Sequence, residues 1–303
     1  HLEIVILYPQ GRTSDVQRKQ MTTLGAKNIH AVAVDGTFDD CQDMVKTLFA
    51  DAAFREKTQL LAVNSINFAR VLAQIVYYFY AALRLGAPVQ SLNFTVPTGN
   101  FGDIYAGYLA RAMGLPMGKL IIASNRNDIL ARCVRTGEYS MEGVHASLSP
   151  SMDIEISSNF ERLLFDLFGR DGAALSAAMD NFRASKTLKL TQAQHADFTA
   201  VFAAHSVSDP NTIATIRRTY AETGYLLDPH TAVGVATTEA LKPTGITVTI
   251  ATAHPAKFPD AVKEATGLTP PLPLHLADLY DRKEHFTPMK RDLDALKAYI
   301  RAL

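Results

Sequence analysis

Apolar, β-branched runs of strand length recur along the chain: Ile4–Tyr8, Ile29–Val34, Leu60–Val63, Leu92–Val96, Lys119–Ala123 and Ile246–Ala251. Between them apolar positions fall at helical intervals, over Ser14–Leu24, Asp39–Phe49, Ile66–Leu85, Ile104–Met113 and Asp128–Arg135. Strands that alternate with helices predict βαβ units, right-handed crossovers and a largely parallel sheet. The expected fold class is therefore α/β, with open, mostly parallel sheets, helices on both faces and two domains. From Ser157 to about Leu241 the spacing is mostly helical before the chain returns to a strand at Ile246. The punctuation Thr269-Pro-Pro-Leu-Pro273 sets off a C-terminal stretch in which Met289–Leu303 has the spacing of an amphipathic helix. Three short βα units precede a long apolar helix that starts at Ile66. The expected division is a smaller domain over residues 1–64 and a larger one over 65–303, the latter including the C-terminal helix.

In open parallel sheets, ligands bind outside the carboxyl ends of the strands. Three loops qualify: Asn64-Ser65, Thr98–Asp103 and Thr252–Lys257. In Val96-Pro-Thr-Gly-Asn-Phe-Gly-Asp-Ile-Tyr105, Gly99 and Gly102 allow positive φ and close backbone approach, and the helix that follows offers unpaired N–H groups. A phosphate would be well held there. The same residues also suit an ordinary strand-to-helix turn with Asp103 as helix cap. The segment matches neither the G-x-G-x-x-G fingerprint nor a P-loop.

In Asn64-Ser-Ile-Asn-Phe-Ala-Arg70, Ser65 can cap a helix, and Arg70 can pair with a carboxylate or phosphate or simply face solvent. Thr252, His254 and Lys257 make either a ligand loop or packed and solvated side chains. Asp228-Pro229-His230 reads as a helix start with a structural histidine. Ser149-Pro-Ser-Met-Asp153 reads as a loop closed by local hydrogen bonds.

Composition narrows the classes. Lys plus Arg and Asp plus Glu both number 30, so no basic excess points to nucleic acid or an anionic membrane. Two cysteines, Cys41 and Cys133, lack metal-ligand spacing, which fits a reducing compartment and no metal site. The longest apolar run, Val71–Leu83, is 13 residues and includes Gln74, short of the roughly 20 a membrane span needs. No signal-peptide pattern opens the chain, and a cytoplasmic location is expected. The chain starts on a strand-like run without Met, so it reads as the remainder of a longer one.

The stretches "VPTGNFGDIYAGYLARAMGLP", "NSINFAR", "SPSMDIEISSNFERLL", "DPHTAVG" and "TAHPAKF" together resemble threonine synthases of the longer bacterial and fungal type. The resemblance covers nearly the whole chain. It implies a tryptophan-synthase-β-like architecture (fold type II), pyridoxal 5′-phosphate as cofactor, and conversion of O-phospho-L-homoserine and water to L-threonine and phosphate. It further implies that Gly99, Asn100, Phe101, Gly102 and Asp103 hold the cofactor phosphate. Thr252 would offer a neutral hydroxyl to the pyridine nitrogen, and Asn64, Ser65 and Arg70 would contact the substrate phosphate.

The family's "HGPTxAFKD" segment, which carries the lysine that bonds the cofactor, has no counterpart here, nor has its Ser/Thr-Gly-Asp-Thr-Gly loop. No catalytic residue is therefore assigned, and the chain reads as the C-terminal two-thirds of such an enzyme, inactive by itself. Two alternatives stay open: another fold-type-II lyase resembling threonine dehydratase, and a non-catalytic relative that binds the cofactor or a phosphorylated ligand.

Overall fold

The computed structural model describes residues 2–64 and 67–303, and of Asp39 the backbone alone. In chain order it begins with β1 (Ile4–Pro9), α1 (Asp15–Thr22), β2 (Ile29–Asp35), α2 (Phe38–Ala50) and α3 (Ala52–Thr58). There follow α4 (Phe68–Arg84), β3 (Leu92–Pro97), α5 (Gly102–Ala112), β4 (Met117–Ser124), α6 (Ile129–Thr136) and β5 (Glu138–Ser140). Next come α7 (Phe160–Leu167), α8 (Gly172–Ser185), β6 (Thr187–Lys189), α9 (Gln192–Val201) and β7 (Phe202–Ser206). The chain closes with α10 (Asp209–Thr223), α11 (Pro229–Leu241), β8 (Thr247–Thr249), α12 (Pro259–Thr266), β9 (Thr287–Lys290) and α13 (Leu293–Arg301).

Two compact units result, one of residues 1–61 with 271–303 and the other of 62–270. In the first, β1, β2 and β9 form a parallel sheet in that order. Its core joins Val32 and Val34 of β2 to Met44, Leu48, Phe54 and the fully buried Leu296 of α13. The C-terminal helix, expected in the second domain, therefore packs in the first unit. Its anchor is β9, whose Val32↔Thr287 to Asp35↔Lys290 register no local pattern announces. Lys297 also reaches Asp51 at 2.7 Å.

In the second unit the parallel order is β7-β4-β3-β8. All six residues of β3 are buried, as expected for a central strand covered on both faces. Alternation divides them: Leu92, Phe94 and Val96 join the cluster that includes Val71, Ile75 and Tyr78 of α4 and Ile104 of α5. Thr95 turns the other way, where Thr238 Oγ1 of α11 donates to its hydroxyl at 2.8 Å. Close packing depends on Gly107 of α5, where a Cβ would lie 2.6 Å from the Tyr78 ring and 2.9 Å from Leu120.

Two strand assignments change. Leu60–Val63 is not a strand: it follows α3 at the junction of the two units, and Leu61 and Val63 are exposed. β-propensity without a neighbouring ladder leaves the backbone unpaired, so no strand forms. Conversely β7, Phe-Ala-Ala-His-Ser inside the helical stretch, pairs with β4 from Leu120↔Phe202 to Ser124↔Ser206. Tertiary pairing overrides its weak local preference. Among the described residues no helix is long and apolar enough to cross a membrane.

Candidate active site

Strand β3 runs out at Pro97, and the next four residues turn the chain into α5. Thr98 keeps the exit in register by donating its N–H to Ala123 O at 2.8 Å. Neither Gly99 nor Gly102 takes a positive φ; Phe101 does, at 63°. A left-handed phenylalanine costs conformational energy. Its buried ring offsets this by packing 5.2 Å from Phe160 and 5.6 Å from Phe202. Gly99 serves close approach instead, since a Cβ there would sit 2.9 Å from Ser151 O and 3.1 Å from Met152 Cα.

Phe101, not Asp103, is the N-cap of α5, and no side chain caps that helix. The expectation that Asp103 caps it is thus corrected. Asp103 lies inside the first turn, its carboxylate 3.1 Å from the Tyr78 hydroxyl, which donates to the Asp103 carbonyl at 2.8 Å. Burial pushes the Asp103 carboxyl up to about 6, against the opposing pull of the Tyr78 hydrogen bond.

A cavity of about 270 Å³ opens at this turn, lined by residues 97–104 together with Asn64, Arg70 and Gln74. Seven of the expected site residues thereby come together: Asn64, Arg70, Gly99, Asn100, Phe101, Gly102 and Asp103. Ser65 lies outside the described residues, and the N-cap expected of it belongs to Asn67, whose Oδ1 accepts from Ala69 N at 3.0 Å. Arg70 is the third residue of α4, nearer the helix start than the spacing implied. Among the described residues its guanidinium makes no ion pair. Arg70 and the uncapped start of α5 bring to this cavity two groups that favour an anion, and the Asp103 carboxyl on the same lining opposes them when ionised. Gln74 was missed, though it stands one helical turn beyond Arg70.

Thr252 is exposed and does not line this cavity. It lies in the loop beyond β8, which pairs with β3 through Thr95↔Thr249, so Thr252 and the glycine turn leave adjacent carboxyl ends. In the same loop His254 Nδ1 accepts from Ala256 N at 3.2 Å as a helix cap. His230 is structural, as expected. It is buried, accepts the Ser151 N–H on Nε2 at 3.2 Å, and so presents a protonated Nδ1 to Asp228 at 3.1 Å.

Two side chains that hold this turn escaped the sequence reading. Ser157 Oγ donates to Gly99 O at 2.7 Å, and Asn159 donates to Asn100 O through N at 3.0 Å and Nδ2 at 3.1 Å. Their only sequence signal was the run Ser157-Ser-Asn159, which stands at the start of the stretch read as mostly helical.

Parallel sheet, carboxyl-end cavity and an uncapped helix start define a class that family comparison supports. Residues 1–253 match the model described as pyridoxal-phosphate dependent enzyme, and the chain belongs to that family. The particular member it is similar to is threonine synthase: residues 231–300 match the model of the threonine synthase C-terminal region. It is 53% identical to the threonine synthase of Pseudomonas aeruginosa over 99% of this chain and 65% of that relative. It superposes on the pyridoxal-phosphate-bound threonine synthase of Brucella melitensis with TM-score 0.94 and 50% identity, over 99% of this chain and 65% of that one. Maize serine racemase, at 13% identity and TM-score 0.54, shares the fold alone. The chain spans about 65% of the length of the curated relatives it matches.

The residues present fit the family's cofactor. The uncapped N-terminus of α5 and the close backbone approach at Gly99 are what a phosphate monoester would need.

Proposed function

We propose that this chain is the larger part of a threonine synthase, which converts O-phospho-L-homoserine and water to L-threonine and phosphate. The observation that carries the reading is the convergence of Arg70, Asn64 and the uncapped start of α5 on one cavity. That arrangement suits two phosphates, one on the cofactor and one on the substrate. Bound there, pyridoxal phosphate would supply the electron sink that makes protons at the substrate's α- and β-carbons removable.

This chain's own residues then bind and orient. Residues Gly99–Asp103 would hold the cofactor phosphate through backbone N–H groups. Thr252 would offer a neutral hydroxyl to the pyridine nitrogen, where a carboxylate partner would instead favour its protonation. Arg70, with Asn64 and Ser65, binds the substrate phosphate and steadies it as it leaves the γ-carbon with the C–O electron pair. Water then adds at the β-carbon.

No lysine lines the cavity among the described residues. In this reading the family's cofactor-bonding lysine has no counterpart among these residues, and the 303 alone are expected to form no threonine. A cytoplasmic setting belongs to the same reading, supported by two free, buried thiols. Another fold-type-II lyase is disfavoured because its substrate would bring no phosphate for Arg70.

The test is threonine formation and phosphate release from O-phospho-L-homoserine by the full-length protein. Turnover of threonine or serine instead would overturn the assignment. So would threonine formation by a preparation whose mass shows only these residues, in respect of the lysine.

A further inference from the structure

We infer that Ser157 and Asn159 are positioning residues that set the phosphate cradle by turning two peptide planes of the Gly99–Phe101 turn. This rests on the cofactor reading above and names the residues that make the turn competent. A trans peptide points its C=O and the following N–H in opposite directions. Ser157 Oγ holds the Gly99 carbonyl at 2.7 Å, so the N–H of Asn100 is directed the other way. Asn159 holds the Asn100 carbonyl with its backbone N–H at 3.0 Å and its amide Nδ2 at 3.1 Å, which likewise directs the N–H of Phe101. Among the described residues neither N–H finds a protein acceptor, and both residues line the cavity.

The two anchors are themselves fixed. Ser157 and Asn159 are 3% and 1% exposed, too buried for water to substitute for the bonds they make. Ser157 N donates to the hydroxyl of buried Tyr139 at 2.8 Å, and Tyr139 packs 4.9 Å from Phe160. Arg162 Nε donates to Asn159 Oδ1 at 2.9 Å, which settles the amide so that Nδ2 faces Asn100. The turn has no regular ladder to hold these planes, and a flipped peptide would present a carbonyl oxygen to the anion.

The experiment compares the affinity of the full-length protein for pyridoxal 5′-phosphate and for pyridoxal, by equilibrium dialysis. The ratio isolates the phosphate. Ser157→Ala and Asn159→Ala are expected to lower it about tenfold each, while Ser157→Thr keeps it. A merely structural role would weaken both ligands alike and leave the ratio unchanged, which would overturn the inference while the cofactor reading stands. A wild-type protein without preference for the phosphorylated ligand would overturn both. Should a variant not fold, hydrogen exchange on the wild type with inorganic phosphate decides. Protection at the Asn100 and Phe101 amides is expected, and protection elsewhere with none at these two would sink the proposal.

Discussion

Arg70 occupies the first turn of α4, where the helix dipole disfavours a cation and no described carboxylate compensates it. Folding gains little from it there. Arg70→Ala should therefore leave Tm within a degree or two while raising KM for O-phospho-L-homoserine by tenfold or more, since a charge-assisted pair contributes about 1.5–3 kcal/mol. Steady-state kinetics beside calorimetry check both halves. Asp103 gives a pH signature. Its folded carboxyl is raised to about 6, so the native state holds the proton more tightly than the unfolded chain does. Stability from this group is present below the unfolded value near 4 and is lost as pH rises through about 6, by up to about 3 kcal/mol. Asp103→Asn should flatten that part of the stability–pH curve in urea titrations. A curve unchanged by the substitution would mean that the carboxyl is ordinary.

At the scale of elements, α11 begins with a buried network that reaches the site. Asp228 caps its helix by accepting from the N–H groups of His230 and Thr231 and from the Thr231 hydroxyl. Burial pushes its carboxyl up, but the bonds from His230 and Thr231 outweigh this and hold it below the usual range. Its contribution is thus complete above about pH 4 and lost as pH falls through the folded value, opposite in sign to that of Asp103. His230→Leu removes the imidazole's bonds to the Asp228 carboxylate and to the Ser151 N–H and should cost about 1–3 kcal/mol in denaturant unfolding. Helix α5 meets α4 and β4 at Gly107, where a methyl group would strike the Tyr78 ring and Leu120. Gly107→Ala should cost about 1–3 kcal/mol by overpacking, despite alanine's better helix propensity. Urea midpoints are the measure, and a neutral result would show that the ring can move aside.

Across the whole molecule both thiols are shut away: Cys133 is fully buried, and burial pushes its thiol up to about 12. Neither Cys41 nor Cys133 should react with a thiol reagent on the timescale of minutes until the protein unfolds. The alternation of strand and helix, the parallel sheet and the anion-seeking turn after β3 were legible in the sequence, because periodicity and turn chemistry act within a few residues. Three things were not. Strand β9 and its Leu296 anchor belong with β2, over 250 residues earlier. Strand β7 exists only because β4 offers it a ladder. The positive φ expected of a glycine falls on Phe101, because Phe160 and Phe202 hold its ring. The sequence by itself placed the Gly99–Asp103 turn between a strand and a helix and put Arg70 near the start of another helix. Only the tertiary structure decided which way the peptides of that cradle face, since the atoms that turn them, on Ser157 and Asn159, lie nearly sixty residues further along the chain.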